Sequence, residues 1–171
     1  MTKSILRKYA KLIVQMGVNI KKGQGAVILA DTAQSEIALM VAEEAYRAGA
    51  KWVDIRWTNQ DLDKMRYKKE SVKVLSATQE WEKARMQYEL DELPVRIWID
   101  SDDPDGLKGV NVEKMQKANL ARMKVRKPYR DAMENKYQWT IVAVPSAKWA
   151  KKVFPNDRTS VAVKKLWDAI L

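Results

Sequence analysis

Apolar positions along the chain switch repeatedly between helical spacing and short unbroken runs. Ile5, Tyr9, Leu12, Ile13 and Met16 recur at the helical period, and Gly17 stands where a C-terminal cap belongs. Gly23-Gln24-Gly25 leads into Ala26-Val27-Ile28-Leu29-Ala30, the continuous apolar run of a strand buried on both faces. Asp31 or Thr32 can cap the next helix, whose stripe of Ile37, Met40, Val41, Ala45 and Ala48 ends at Gly49. Lys51 to Trp57 reads as a second strand.

Residues 59–93 are charged and helical in pattern, with Leu62, Met65, Val72, Leu75, Trp81, Met86 and Leu90 available to pack inward. Val95-Arg96-Ile97-Trp98-Ile99 is a third strand and runs into Asp100-Ser101-Asp102-Asp103-Pro104-Asp105-Gly106. A long helix follows from about Asn111, with Met115, Ala118, Val125, Tyr129 and Ala132 along one side and a kink expected at Pro128. Trp139 to Val144 is the fourth strand, Ser146 can cap a short helix, and Thr159 or Ser160 the last one. This alternation predicts one α/β domain: a mostly parallel sheet of about four or five strands with helices on both faces. The stripe Val163, Leu166, Trp167 and Ile170, followed directly by Leu171, implies a firmly docked last helix or a chain that continues.

Composition narrows the chemistry. The 171 residues include no histidine and no cysteine. Imidazole-based zinc sites, Ser-His-Asp triads and thiol chemistry are therefore excluded within this chain. No apolar run reaches the length of a membrane span and Met1-Thr2-Lys3-Ser4 is no signal peptide, so a soluble cytoplasmic protein is expected. The balance of 32 Lys+Arg against 22 Asp+Glu leaves a net charge of +10. Residues 111–138 and 139–171 supply most of that surplus. A polyanion such as RNA could bind the basic helix from Lys114 to Arg130, although a basic helix is ordinarily a solvated face.

The local motifs are mostly structural. The glycines at 23 and 25 precede their strand, whereas a dinucleotide fingerprint needs them after it. Asp100 and Asp102 at a strand end could hold magnesium, or supply a nucleophile for phosphoryl transfer. Pro104 interrupts the turn such enzymes use, and Asp103-Pro104-Asp105-Gly106 is good turn chemistry by itself. Ser146 lacks the flanking glycines of a nucleophile elbow and reads as a cap. Trp52, Trp98 and Trp139 lie in apolar strand runs and read as core.

Several blocks, taken together, resemble the thermophilic metalloaminopeptidases. They are Tyr9-Ala10-Lys11-Leu12-Ile13-Val14-Gln15-Met16-Gly17-Val18-Asn19-Ile20-Lys21-Lys22-Gly23-Gln24, Glu43-Glu44-Ala45-Tyr46-Arg47-Ala48-Gly49-Ala50, Asp103-Pro104-Asp105-Gly106-Leu107-Lys108-Gly109-Val110 and Trp139-Thr140-Ile141-Val142-Ala143-Val144-Pro145. The series continues through Trp149-Ala150-Lys151-Lys152-Val153-Phe154-Pro155 and closes at Leu166-Trp167-Asp168-Ala169-Ile170. The resemblance implies an exopeptidase that removes N-terminal residues from peptides with a pair of divalent ions, cobalt or zinc. It also implies a homodimer whose metal ligands and catalytic tyrosine lie in a C-terminal domain. No residue here matches those motifs, so no catalytic, cofactor-binding or metal-binding residue is assigned. Residues 1–171 are then the N-terminal α/β domain of a longer enzyme, capping its cavity and inactive alone. The rival readings are a free-standing basic module binding RNA or another polyanion, and a magnesium phosphohydrolase using Asp100 and Asp102.

Overall fold

The computed structural model describes every residue from Met1 to Leu171. Four strands, β1 (Gly25–Asp31), β2 (Trp52–Thr58), β3 (Val95–Asp100) and β4 (Trp139–Ala143), form one sheet in the order β2-β1-β3-β4. All three pairings are parallel, with Ile28 of β1 opposite both Ile55 of β2 and Ile97 of β3. The expected parallel α/β architecture is therefore present, with four strands. β1 and β3 are the inner strands, which explains the unbroken apolar run of β1 and the buried Val95, Ile97 and Ile99 of β3.

The chain divides into two compact units, each assembled from separate stretches of sequence. The first comprises residues 1–59, 94–105 and 138–171 and contains the sheet. Ala26, Ile28 and Ala30 of β1 and Val95, Ile97 and Ile99 of β3 form the centre of its core. Helices α1 (Lys3–Leu12), α2 (Ser35–Arg47) and α8 (Thr159–Ile170) close over that core with Ala10, Val41, Ala45 and Trp167. Trp167 meets the Tyr9 ring edge-on, with centroids 5.9 Å apart. The Tyr9 hydroxyl donates to the Ala143 carbonyl at 3.1 Å, and the last helix buries Leu166 and Trp167. Helix α7 (Ala147–Val153) pairs with α8 through Ala150, Ala162 and Leu166.

The second unit comprises residues 60–93 and 106–137 and is wholly helical. It contains α3 (Gln60–Lys69), α4 (Val72–Ser76), α5 (Glu80–Glu92) and α6 (Val112–Met133). Helices α4 and α5 pack on α6. Asn111 caps α6 by accepting from the Lys114 N–H at 2.9 Å, and the helix runs through Pro128. Ala118 is buried and Met115, Val125, Tyr129 and Ala132 are half-buried, so the expected inner stripe of this helix is present.

Several expected core positions are solvent-facing. In α1 the buried line is Ala10, Ile13 and Val14, with Leu6 and Tyr9 beside it. Ile5, Leu12 and Met16 lie outside that line, and Met16 is 74% exposed. The helix also ends differently: Ile13–Gly17 widens into a π-helical turn, and the left-handed residue is Asn19 (φ 44°), not Gly17. A Cβ on Gly17 would lie 3.3 Å from the Thr140 methyl, so close approach to β4 is what this glycine serves. Trp139 is also misplaced by the core reading. It lies on the edge strand, 58% exposed, with its ring edge-on to Trp98 at 6.4 Å. Asp31 caps the short 3-10 turn Thr32–Gln34 ahead of α2, and Arg158, not Thr159 or Ser160, is the cap residue of α8.

Two glycines are required by geometry. Gly49 (φ 99°) ends α2 in a Schellman arrangement, with the Gly49 N–H bonded to the Tyr46 carbonyl and that of Ala50 to the Ala45 carbonyl, both at 3.0 Å. Gly25 faces the Trp52 indole across the β1–β2 pair, where an added Cβ would stand only 2.2 Å from Cζ2. Gly25→Ala is therefore expected to lower stability by about 2 kcal/mol in urea unfolding through overpacking. Combining it with Trp52→Leu should cost less than the sum of the two single changes, because the smaller side chain leaves room for the methyl.

Candidate functional site

In open parallel sheets ligands collect beyond the carboxyl ends of the strands. Here that rim carries the acidic loop after β3. The Asp100 carboxylate accepts from the Asp102 N–H at 3.4 Å, and the Asp103 carboxylate accepts from the Asp105 N–H at 2.9 Å. Such local bonds are turn chemistry. Lysines of α7 neutralise the same loop, Lys152 reaching Asp105 at 2.6 Å and Lys148 lying 3.9 Å from Asp103. Ser146 caps α7 by accepting from the Trp149 N–H at 3.2 Å, as its sequence position implies. The loop is thus engaged in its own fold, and nothing in it favours phosphoryl transfer by Asp100 and Asp102.

The helical unit carries the strongest charge constellation. Glu82 of α5, with its side chain 10% exposed, accepts from the Gln79 backbone N–H at 2.9 Å and from the Arg122 guanidinium of α6. Arg122 also donates to the Ala77 carbonyl at 2.6 Å, and Arg126 lies 3.9 Å from Glu82. Burial by itself raises the Glu82 pKa, but the Gln79 N–H and the Arg122 guanidinium outweigh it and hold the carboxyl below its ordinary value. Burial depresses Arg126, and repulsion from Arg122 adds to the depression. Trp81, Met86 and Leu90, expected to turn inward on α5, do not carry this contact. Trp81 is 62% exposed and stacks under Arg85, whose guanidinium carbon is 5.0 Å from the ring centroid. Of the seven apolar positions expected to pack inward from 59–93, Leu75 is buried and Met86 and Leu90 are half-buried, while Leu62, Met65, Val72 and Trp81 are exposed.

On the outer side of α6, Asn119, Arg122, Met123, Arg126, Lys127 and Arg130 line an open depression of about 330 Å³. The sequence shows the basic run. It does not show that Glu82, forty residues earlier, sits beneath two of its arginines.

Comparison with known proteins places this architecture. The family model for "Thermophilic metalloprotease (M29)" matches residues 2–171. The chain belongs to the thermophilic metalloprotease (M29) family. Aminopeptidase PepS of Streptococcus thermophilus is 34% identical over 98% of this chain and 41% of its own length. Aminopeptidase AmpS of Bacillus subtilis (strain 168) is 32% identical over 96% of this chain and 40% of its own length. The solved structure of wild-type AmpT from Thermus thermophilus superposes with a TM-score of 0.84 at 29% identity, covering 98% of this chain and 43% of that one. The chain thus spans about two fifths of the length of the curated relatives it matches.

M29 proteins are metal-dependent by description, yet the donors in this chain do not fit a metal pair. There is no imidazole or thiolate, and nowhere do three or more acidic side chains gather as a metal ion would require. No catalytic step is therefore routed through a metal on these residues. No helix is long and apolar enough to cross a membrane.

Glu82 generates a pH prediction. Its pKa is lowered in the folded state, so its stabilising contribution is complete above about 4.5 and is lost as pH falls through the lower folded value. Glu82→Gln should flatten the acid limb of a plot of Tm against pH. Arg122→Met, which leaves the carboxylate without its main partner, should destabilise at neutral pH by about 3 kcal/mol. Adding Glu82→Gln to Arg122→Met should recover part of that loss.

Proposed function

We propose that residues 1–171 are the N-terminal α/β region of a metal-dependent aminopeptidase that removes N-terminal residues from peptides. The observation that carries the reading is the family match over nearly the whole chain, joined to coverage of only about two fifths of each aminopeptidase relative. In this reading the remaining part of the parent enzyme holds a pair of divalent ions, cobalt or zinc. There the ions polarise the scissile carbonyl and lower the pKa of a shared water. The present region supplies scaffold and one wall of the substrate cavity. The parent acts as a cytoplasmic homodimer, and both its dimer contact and its catalytic domain are partners of this region.

The donor chemistry supports the division of labour. A two-metal hydrolytic site needs several imidazole or carboxylate ligands converging on one point, and this sequence holds no histidine to contribute. Carboxylates that sequence proximity offers, those of residues 100–105, are engaged in turns and lysine contacts.

The test uses two proteins. The 171-residue chain, purified and supplied with cobalt or zinc, is expected to release no N-terminal residue from amino-acyl reporter peptides. A polypeptide extended with the remainder of the parent gene is expected to release them, and to stop when a chelator removes the metal. Substantial activity of the short chain would overturn the assignment of the chemistry to the remainder. Inactivity of the metal-loaded long form would overturn the aminopeptidase reading itself.

A further inference from the structure

The outer face of α6 is built differently from an ordinary solvated helix. Its residues 119, 122, 123, 126, 127 and 130 follow the spacing i, i+3, i+4, i+7, i+8, i+11, and so form one stripe about 16 Å long. Three of the six are arginines, and the floor is preorganised. Arg122 is fixed by the Ala77 carbonyl and Glu82, while the Tyr67 hydroxyl donates to Asn119 at 3.2 Å. Arg85 continues the surface onto α5, lying over exposed Trp81.

Charge on this face is only partly balanced. Arg85, Arg122, Arg126, Lys127 and Arg130 meet the carboxylates of Glu82, Glu89 and Asp131, five cations against three anions. Arg126 is the focus of the imbalance: its only ion-pair partner, Glu82, is 3.9 Å away and is shared with Arg122. Burial and the neighbouring guanidiniums lower its pKa, the condition that an added anion would relieve.

We propose that this Arg126-centred face binds an acidic polypeptide segment, whose carboxylates pair with Arg126 and Arg130 and whose apolar side chains cover Met123 and Trp81. Exposed tryptophan and methionine among arginines are the composition of a protein-binding hot spot. Planar guanidiniums suit bidentate carboxylate recognition. A nucleic-acid backbone carries a charge on every nucleotide and would meet Asp131, which pairs with Lys127 and Arg130 beside the stripe. A second copy of this chain would bring the same excess positive charge against itself. A polypeptide occupant is also what the relatives' additional length offers, since they extend well beyond the part this chain matches. The binding face is argued from the helical unit, and the inference does not depend on the aminopeptidase activity of the parent.

The experiment titrates the 171-residue chain against a short fluorescein-labelled oligoglutamate peptide at low and moderate salt, reading anisotropy. Binding that weakens with salt is expected. Charge reversal by Arg126→Glu with Arg130→Glu should weaken it about tenfold or more, while Lys8→Glu with Lys11→Glu on α1, an equal change in net charge, should weaken it far less. Should the arginine reversal impair folding by circular dichroism, Arg126→Gln with Arg130→Gln set against Lys8→Gln with Lys11→Gln supplies the same charge-matched comparison. Equal losses from both pairs, no binding at low salt, tighter binding of oligouridylate at the same salt, or self-association abolished by the arginine changes would each overturn the proposal.

Discussion

Parallel pairing is the constraint on which the rest of this structure depends. Two parallel neighbours cannot be joined by a tight hairpin, so the chain has to travel back between each strand and the next. β1 stands between β2 and β3, and β3 between β1 and β4, so β1 is apolar from Ala26 to Ala30 and β3 admits one charge, Arg96, within its run. The outer ones need not be apolar. The outer strands show the difference directly. β2 alternates Val53 and Ile55 toward the core with Asp54 and Arg56 on its other side, the latter two paired at 2.9 Å. β4 is only five residues long and leaves Ile141 60% exposed. Short and charged edges limit further strand addition.

The return path from β2 to β3, and that from β3 to β4, are where the second unit comes from. Residues 60–93 and 106–137 are the two crossovers enlarged into helices, and they form a unit because they hold one another. Burying Glu82 is costly unless its charge is met, and the Gln79 N–H and Arg122 meet it at different carboxylate oxygens. One contact therefore ends a desolvation penalty on α5, fixes an arginine on α6 and joins two chain segments separated by a strand. An apolar contact of similar size would join the segments as well. It would not orient the guanidiniums that form the outer face of α6.

This also explains which elements the sequence reveals. The inner strand β1 is legible because burial on both faces leaves no polar position from Ala26 to Ala30. Helix α6 is legible because its small and apolar inner residues repeat at the helical period. Helix α5 defeats the same reading, because its inner stripe includes Glu82 and Glu89 while Trp81 faces outward. Charges become inner residues only through partners that local periodicity cannot see. In α1 the cause is size: Ala10 is small enough to let the helix approach the sheet, and it takes the buried position that periodicity assigns to larger Leu12 and Met16. The family resemblance was readable from ordered blocks of residues. The depression on α6 was readable only as a surplus of basic residues, since Glu82, which anchors its Arg122, comes from another helix.

The carboxyl ends of the strands complete the picture, since each polar group there already has structural employment. Asp31 caps the turn after β1 by accepting from the Ala33 N–H at 2.8 Å, and Asn59 after β2 donates to the Thr32 hydroxyl at 3.0 Å. Asp100 ends β3 in its own turn, and the Ala143 carbonyl at the end of β4 takes the Tyr9 hydroxyl. The Tyr9 pKa is raised by burial, so that hydroxyl stays protonated and keeps donating across the neutral range. A rim that usually gathers ligands is here closed by caps, turns and a tyrosine bond. Sheet geometry alone therefore does not make these residues a reaction centre. What the fold leaves available for recognition is surface: an edge strand with two exposed aromatic or branched side chains, and an arginine-lined helix face whose charge is incompletely matched.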